Sequence, residues 1–148
     1  FQSPSDIEKY NKPVFNNLYS TIFKLAGKFS SIYNLRKPIK YSNAWININP
    51  PYSFNNPHTH PGSAISAVYY IKVPKNSGNI VFKRPEKFVG YLDENSFHTY
   101  NSFNAYAQNF VPKENQLFLF PSWMEHEVGQ NLSKQDRVSL AINFECTQ

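Results

Sequence analysis

From residue 44 onward the chain is a series of short apolar segments, most of them bounded by proline, glycine or asparagine. Residues 44–49 alternate like a half-buried strand until Pro50 and Pro51 end the segment, and residues 64–73 form a longer β run before a turn. Similar segments lie at residues 79–82, 116–120, 124–128 and 137–144. This series of seven or eight strands predicts a mainly β protein, either a sandwich or a barrel.

Residues 5–33 have a helical pattern instead. Ser5 can cap a helix N-terminus, and Pro13 is expected to split the stretch or to begin its second helix. Apolar residues recur near helical spacing at Ile7, Val14, Leu18, Ile22, Phe23 and Leu25. We therefore predict that residues 1–40 supply N-terminal helices, which pack on one sheet of a β core formed by residues 41–148.

Residues 83–111 interrupt the β pattern. They are rich in Asn, Phe and Tyr and show no sustained period. We predict a long insertion with one short strand, and long ordered loops in compact domains are often functional. The sequence has no internal repeat and no low-complexity linker, so we expect one domain over residues 1–148.

Composition narrows the class of protein further. The chain has 148 residues, of which 17% are aromatic and 17% charged, a mix that suits large side chains packed between sheets. Its net charge of +5 comes largely from singly spaced lysines, which does not indicate a nucleic-acid surface. No apolar run is long enough to cross a membrane, and the single cysteine, Cys146, cannot form an internal disulfide. We expect a cytoplasmic protein and, because the chain begins at Phe1, a trimmed or partial one.

Two of the four histidines lie in residues 57–61, Pro-His-Thr-His-Pro. Residues i and i+2 of an extended segment point to the same side, and the flanking prolines favour extension, so His58 and His60 can face one point in space. His126 is the best candidate for a third metal ligand, since it follows an apolar strand and a turn. Ordinary loop histidines are the alternative interpretation. His98 has no such context and is expected at the surface.

Two stretches of the sequence resemble the two halves of a 2-oxoglutarate/Fe(II) oxygenase core. The first is residues 55–63, Asn-Asn-Pro-His-Thr-His-Pro-Gly-Ser, followed by residues 66–71, Ser-Ala-Val-Tyr-Tyr-Ile. The second is residues 111–123, Val-Pro-Lys-Glu-Asn-Gln-Leu-Phe-Leu-Phe-Pro-Ser-Trp, which lead to His126, with Arg-Val-Ser at residues 137–139. The resemblance covers roughly residues 44–145, and the most similar family is that of prolyl-hydroxylase-like oxygenases from marine bacteria and their phages.

The resemblance implies a double-stranded β-helix, or jelly roll, with N-terminal helices packed on one sheet. It implies Fe(II) as cofactor, 2-oxoglutarate as co-substrate, and O2 and an unidentified substrate as partners. The implied reaction is a dioxygenase oxidation that releases succinate and CO2, in the cytoplasm of a bacterium or of a phage-infected cell. Neither the substrate nor the oligomeric state is indicated.

The resemblance also implies roles for individual residues. His58 is the first iron ligand and His126 the distal one. Arg137 pairs with the far carboxylate of 2-oxoglutarate, because a guanidinium is always charged and grips a carboxylate with two hydrogen bonds. Ser139, on the same strand face, adds a further hydrogen bond. Further candidate contacts to 2-oxoglutarate are Tyr70 and Asn47.

His60 departs from the family pattern, which usually has a carboxylate at this position. Three neutral imidazoles would leave the double charge of iron uncompensated. His60 could bind the metal, or water could take its place. The nearest carboxylates by sequence context, Asp93, Glu94 and Glu125, do not have the required placement. Two other interpretations stay open: a three-histidine zinc enzyme, and a binding module that has lost catalysis, with a partner surface in residues 83–111.

Overall fold

A computed structural model describes residues 1–7, 12–85, 97–99, 101 and 104–148. Within these residues the chain forms one helix and eight strands. Their bounds, in chain order, are α1 Lys12–Ile32, β1 Ile39–Asn49, β2 Asn55–His58, β3 Ile65–Lys72, β4 Ile80–Lys83, β5 Ala107–Phe110, β6 Leu117–Pro121, β7 His126–Val128 and β8 Arg137–Cys146.

The strands pair into two antiparallel sheets. The order is β1-β8-β3-β6 in one, here called the major sheet, and β2-β7-β4-β5 in the other, the minor sheet. Except for β4 and β5, strands that are neighbours in a sheet are not consecutive in the chain, as in a jelly roll. The predicted mainly β, double-stranded β-helix fold is confirmed.

Strand β8 separates the hydrophobic core from a cavity between the two sheets. Successive side chains of a strand point to opposite faces. Leu140, Ile142 and Phe144 therefore face the core beneath α1, while Arg137 and Ser139 line the cavity on the other side. Seven of the ten β8 residues are buried, because both faces of this central strand are covered.

Helix α1 covers the outer face of the major sheet, as predicted. Ile22 and Ala26 are fully buried in the core cluster, whereas Phe23 and Leu25 are partly exposed. Pro13 is the second residue of the helix, a position where its missing N–H costs nothing. The prediction that the helical region begins at residue 5 is wrong for residues 5 and 6; Ile7 lies in a 3₁₀ turn, and residues 8–11 lie outside the described part of the chain.

The first residues extend the major sheet instead of forming a helix. The Phe1 ammonium donates to the carbonyl of Ile48 at 2.8 Å, and the Ile48 N–H donates to the carbonyl of Phe1 at 2.8 Å. Isolated bridges join Gln2 to Asn47 and Asp6 to Ala44. Backbone hydrogen bonds cover the outer edge of β1 in this way, and Gln2 borders the cavity.

Several strand boundaries differ from the prediction. Strand β1 begins at Ile39, five residues earlier than predicted, and its register shifts between Tyr41 and Asn43. Strand β5 is the short strand predicted within residues 83–111. Residues 86–96, 100, 102 and 103 of that predicted insertion lie outside the described residues. No helix in the part of the chain that the structure describes has both the length and the apolar character needed to cross a bilayer.

Candidate active site

Three histidines meet in the cavity between the sheets. His58 of β2 and His126 of β7 are directly opposite partners in the antiparallel ladder, and His60 follows two residues beyond. One ring nitrogen of each of the three lies within 4.8 Å of those of the other two. The ring centroids are 4.2 Å apart for His58 and His126, and 5.0 and 5.1 Å for the pairs that include His60. The predicted spacing therefore brings the three side chains together.

The surroundings keep two of these imidazoles, those of His60 and His126, neutral. Burial, and next the proximity of His58, lowers the pKa of His60 to about 4. Burial also lowers the pKa of His126 to about 4, although a hydrogen bond to the carbonyl of Met124 opposes the shift. Neutral imidazole is the form that binds a metal ion, so at neutral pH no proton must leave these two rings.

Two of the rings are fixed by hydrogen bonds of the same kind. Nδ1 of His58 lies 2.7 Å from the carbonyl oxygen of Asn56, and Nδ1 of His126 lies 3.0 Å from the carbonyl oxygen of Met124. A carbonyl oxygen only accepts, so each Nδ1 carries the proton and each Nε2 presents its lone pair. Such second-shell bonds orient metal-binding histidines in proteins.

Arg137 is a buried cation at the other end of the cavity. It is 1% exposed and so is not a surface residue. One guanidinium nitrogen, Nη1, donates to the carbonyls of Ser77 and Gly129, and Nη2 donates to Oδ1 of Asn55 at 3.3 Å. All three acceptors are neutral, and among the described residues no carboxylate pairs with Arg137. A buried charge without a counter-charge is costly unless a ligand supplies one.

Gly78 makes the close approach around Arg137 possible. A Cβ at this position would lie 2.1 Å from the carbonyl oxygen of Gly129 and 2.8 Å from Nη1 of Arg137. The φ of Gly78 is also +92°, in the region that favours glycine. Residues 77–79 and Gly129 thus form a backbone cradle that only a residue without a side chain can complete.

Replacing Gly78 by Ala is expected to lower the free energy of unfolding by about 2–5 kcal/mol, through strain at positive φ and overpacking against the cradle. Gly62→Ala is the matched control, because Gly62 has φ +85° but nothing within 4 Å of the added Cβ. The free energy of unfolding of that variant is expected to fall by only about 1–2 kcal/mol. Urea denaturation of both measures the difference, and equal losses would show that the clash with the cradle is not real.

Three other predicted residues line the same cavity. Tyr70 of β3 and Asn47 of β1 are both register partners of Ser139. The hydroxyl of Tyr70 is buried and has no hydrogen-bond partner among the described residues. Burial raises the pKa of Tyr70 to about 12, opposed by the positive charge of Arg137, so the phenol keeps its proton and can donate. Asn47 accepts a hydrogen bond at Oδ1 from the indole of Trp45, 3.2 Å away.

No acidic side chain lines the cavity among the described residues. Glu125 and Glu127 are adjacent in sequence to His126 but point elsewhere, since both form ion pairs with Lys83, at 3.7 and 2.8 Å. Asp93 and Glu94 lie outside the described part of the chain, and His98 is exposed. In this region of the molecule, His60 stands where the family pattern would place a carboxylate.

Some residues of the site were not found by sequence reasoning. Asn55 accepts from both Arg137 and Asn49, and Phe120 packs its ring 4.6 Å from that of His126. Trp45 lies with its ring 5.7 Å from that of His60. Asn55 was part of a matched motif, but its contact with an arginine 82 positions away carries no local signal.

The fold and the site define a jelly-roll protein whose cavity holds a candidate three-histidine metal centre and a buried arginine with no acidic partner among the described residues. Residues 43–143 match the model of the family described as "Putative 2OG-Fe(II) oxygenase". The chain belongs to this family of 2-oxoglutarate/Fe(II) oxygenases, as the sequence motifs predicted. A search among curated protein sequences finds no significant match.

Solved structures share the fold at low sequence identity. The non-haem α-ketoglutarate-dependent epimerase SnoN from nogalamycin biosynthesis has a TM-score of 0.71 and 15% identity, over 98% of this chain and 62% of that one. A 2OG-Fe(II) oxygenase family oxidoreductase from Burkholderia pseudomallei gives 0.60 and 18%, over 85% and 57%. A prolyl-4-hydroxylase from Pseudomonas putida gives 0.51 and 18%, over 72% and 55%. The chain thus spans about three fifths of the length of these proteins.

Proposed function

We propose that this protein is an Fe(II)- and 2-oxoglutarate-dependent dioxygenase that oxidises a substrate not yet identified. The observation that carries the proposal is the pairing, in one cavity, of three clustered histidines with a buried arginine that has no acidic partner among the described residues. A metal ion would bind the histidines, and a carboxylate of a dianionic keto acid would balance the charge of the arginine.

The donor set fits iron. Imidazole nitrogen is a suitable ligand for Fe(II), and His58, His60 and His126 would hold the ion from one side. The Nδ1–H bonds to the Asn56 and Met124 carbonyls direct Nε2 of two of these rings toward one point. When bound, iron and 2-oxoglutarate supply the oxidising chemistry, with succinate and CO2 as co-products.

The far carboxylate of 2-oxoglutarate fits the arginine end of the cavity. The Arg137 guanidinium would supply charge and a bidentate hydrogen bond, and the free Tyr70 hydroxyl would donate to the same carboxylate. Ser139 and Asn47, which are register partners on adjacent strands of the major sheet, would add polar contacts. Because the cradle carbonyls already hold Nη1, the guanidinium needs little reorganisation to bind.

Apolar residues form the rest of the wall. Val68, Ile80, Phe120, Val128 and Ala141 line the cavity that holds the histidines and the arginine. Apolar walls exclude water and strengthen the electrostatic contacts inside. A zinc hydrolase would use the histidines but would leave the arginine end without a role, so the oxygenase accounts for more of the site.

Oxygen consumption coupled to succinate formation tests the proposal. Fe(II)-loaded protein supplied with 2-oxoglutarate is expected to consume O2 and form succinate slowly without substrate, and faster with the correct one. Omission of Fe(II), or replacement of Fe(II) by Zn(II), is the control. Iron-loaded protein that forms no succinate with any candidate substrate, and does not bind 2-oxoglutarate, would contradict the proposal.

A further inference from the structure

The three histidines of the site are held in different ways. The His58 and His126 rings are each fixed through Nδ1 by the carbonyl of the residue two positions earlier. No described residue forms a hydrogen bond with the ring of His60. The backbone of His60 is anchored, since its N–H donates to the carbonyl of Ser122 at 2.9 Å. The difference therefore lies in the ring, not in the chain that carries it.

The position of His60 in the fold agrees with this difference. His58 and His126 are cross-strand partners inside the minor sheet, so the ladder fixes their separation. His60 lies beyond the end of β2, and its ring has Trp45 as its aromatic neighbour besides the other two histidines, at 5.7 Å. Tilted and edge-on ring contacts of this kind restrain the plane of an imidazole but do not select which nitrogen carries the proton. Either His60 nitrogen can therefore face the centre of the cluster.

We propose that His58 and His126 are the permanent donor pair and that His60 is an exchangeable third donor, whose place at the metal a small carboxylate can take. This inference rests on the proposed metal site. Metal-binding histidines almost always have the second ring nitrogen hydrogen-bonded, and loss of that partner weakens binding. Among the described residues, the ring of His60 has no carbonyl partner of the kind that the rings of His58 and His126 have.

Charge favours a carboxylate as the exchanging ligand. Imidazole ligands bring no negative charge to a metal ion, and among the described residues that line the cavity none is acidic. A divalent ion bound there keeps its full charge, with the Arg137 cation in the same cavity. A carboxylate that replaces His60 would neutralise one unit of this charge. A neutral replacement such as water would not.

The tautomers of the metal-free protein test the basis of the inference directly. Proton–nitrogen correlation spectra of the imidazole rings at neutral pH are expected to show single Nδ1–H tautomers for His58 and His126. His60 is expected to show a mixture of both tautomers. A single tautomer for His60, with a slowly exchanging ring proton, would overturn the inference without any variant or metal.

The inference also predicts that the three histidines contribute unequally to metal affinity, and Co(II) alone is the probe. His58→Ala and His126→Ala are expected to lose at least about 100-fold in Co(II) affinity, and His60→Ala less than about 10-fold. Equal losses would overturn this inference and leave the proposed oxygenase standing. Failure of the unaltered protein to bind Co(II) would instead remove the metal site itself. His60→Gln replaces His60→Ala if the smaller side chain prevents folding.

Formate tests the exchange. Added formate is expected to raise the Co(II) affinity of His60→Ala several-fold, and to leave that of His126→Ala unchanged, because only the first variant keeps the anchored pair. Formate that has no effect on His60→Ala, or that rescues both variants equally, would overturn the claim that the His60 position accepts a carboxylate.

Discussion

Replacing His126 by Ala is expected to abolish succinate formation and to lower Fe(II) affinity at least about 100-fold, more than the loss of a second-shell partner usually costs. His126 is the most buried of the three histidines, 5% exposed, and its Nε2 has its lone pair free for a metal. Without His126, the metal would have only two imidazole ligands, those of His58, whose ring is held by a hydrogen bond, and of His60. Iron retained after gel filtration and succinate formed per protein molecule are the measurements.

The controls separate loss of the ligand from loss of the fold. His126 packs against the rings of Phe120 and Phe82, at 4.6 and 6.0 Å between centroids, so the Ala variant also leaves a cavity. His126→Gln largely fills that space, and circular dichroism checks that both variants fold. His98→Ala removes an exposed histidine and is expected to behave as the unaltered protein. Unchanged turnover in folded His126→Ala would contradict the assigned role.

Replacing Arg137 by Met is expected to weaken 2-oxoglutarate binding by about 2–5 kcal/mol, roughly 30- to 5,000-fold in Kd. The change removes the positive charge from the cavity and leaves the co-substrate carboxylate without its partner. Iron affinity is expected to stay unchanged, because Arg137 lies at the end of the cavity away from the histidines. Isothermal titration of the metal-loaded protein with 2-oxoglutarate measures the effect.

Arg36→Met is the matched control for the arginine. It removes the same charge from an exposed position, so 2-oxoglutarate binding is expected to change little. Arg137→Met also deprives the Ser77 and Gly129 carbonyls of a donor, and it removes an unpaired buried charge, so the two effects on stability oppose each other. Normal 2-oxoglutarate binding by Arg137→Met, or an equal loss in Arg36→Met, would contradict the proposed carboxylate pocket.

The sequence predicted the fold and much of the site because their signals are local or family-specific. Short alternating segments closed by proline and glycine indicated the strands, and the flanking prolines indicated an extended His-x-His segment. The motif containing Arg137 and Ser139 placed both on one face of a strand, and the structure shows both in the cavity. Their roles with 2-oxoglutarate stay predictions.

Other features depend on backbone contacts that leave no side-chain pattern. The first residues pair with β1 through N–H and carbonyl groups, so the sequence suggested a helix cap at Ser5, where the structure pairs the chain with β1. The need for glycine at position 78 arises from its positive φ and from the nearby Gly129 carbonyl and Arg137 guanidinium, which no local sequence pattern indicates. The unequal fixing of the three histidine rings likewise arises from carbonyl positions, which residue types do not specify.

The most direct test of the central claim is a titration of 2-oxoglutarate into anaerobic, Fe(II)-loaded protein, followed by visible absorption. A keto acid that chelates Fe(II) gives a charge-transfer band. The account predicts a saturable band that reaches one 2-oxoglutarate per iron. Protein shown to contain iron that gives no band at saturating 2-oxoglutarate would contradict the claim that this cavity is the site of an Fe(II)- and 2-oxoglutarate-dependent dioxygenase.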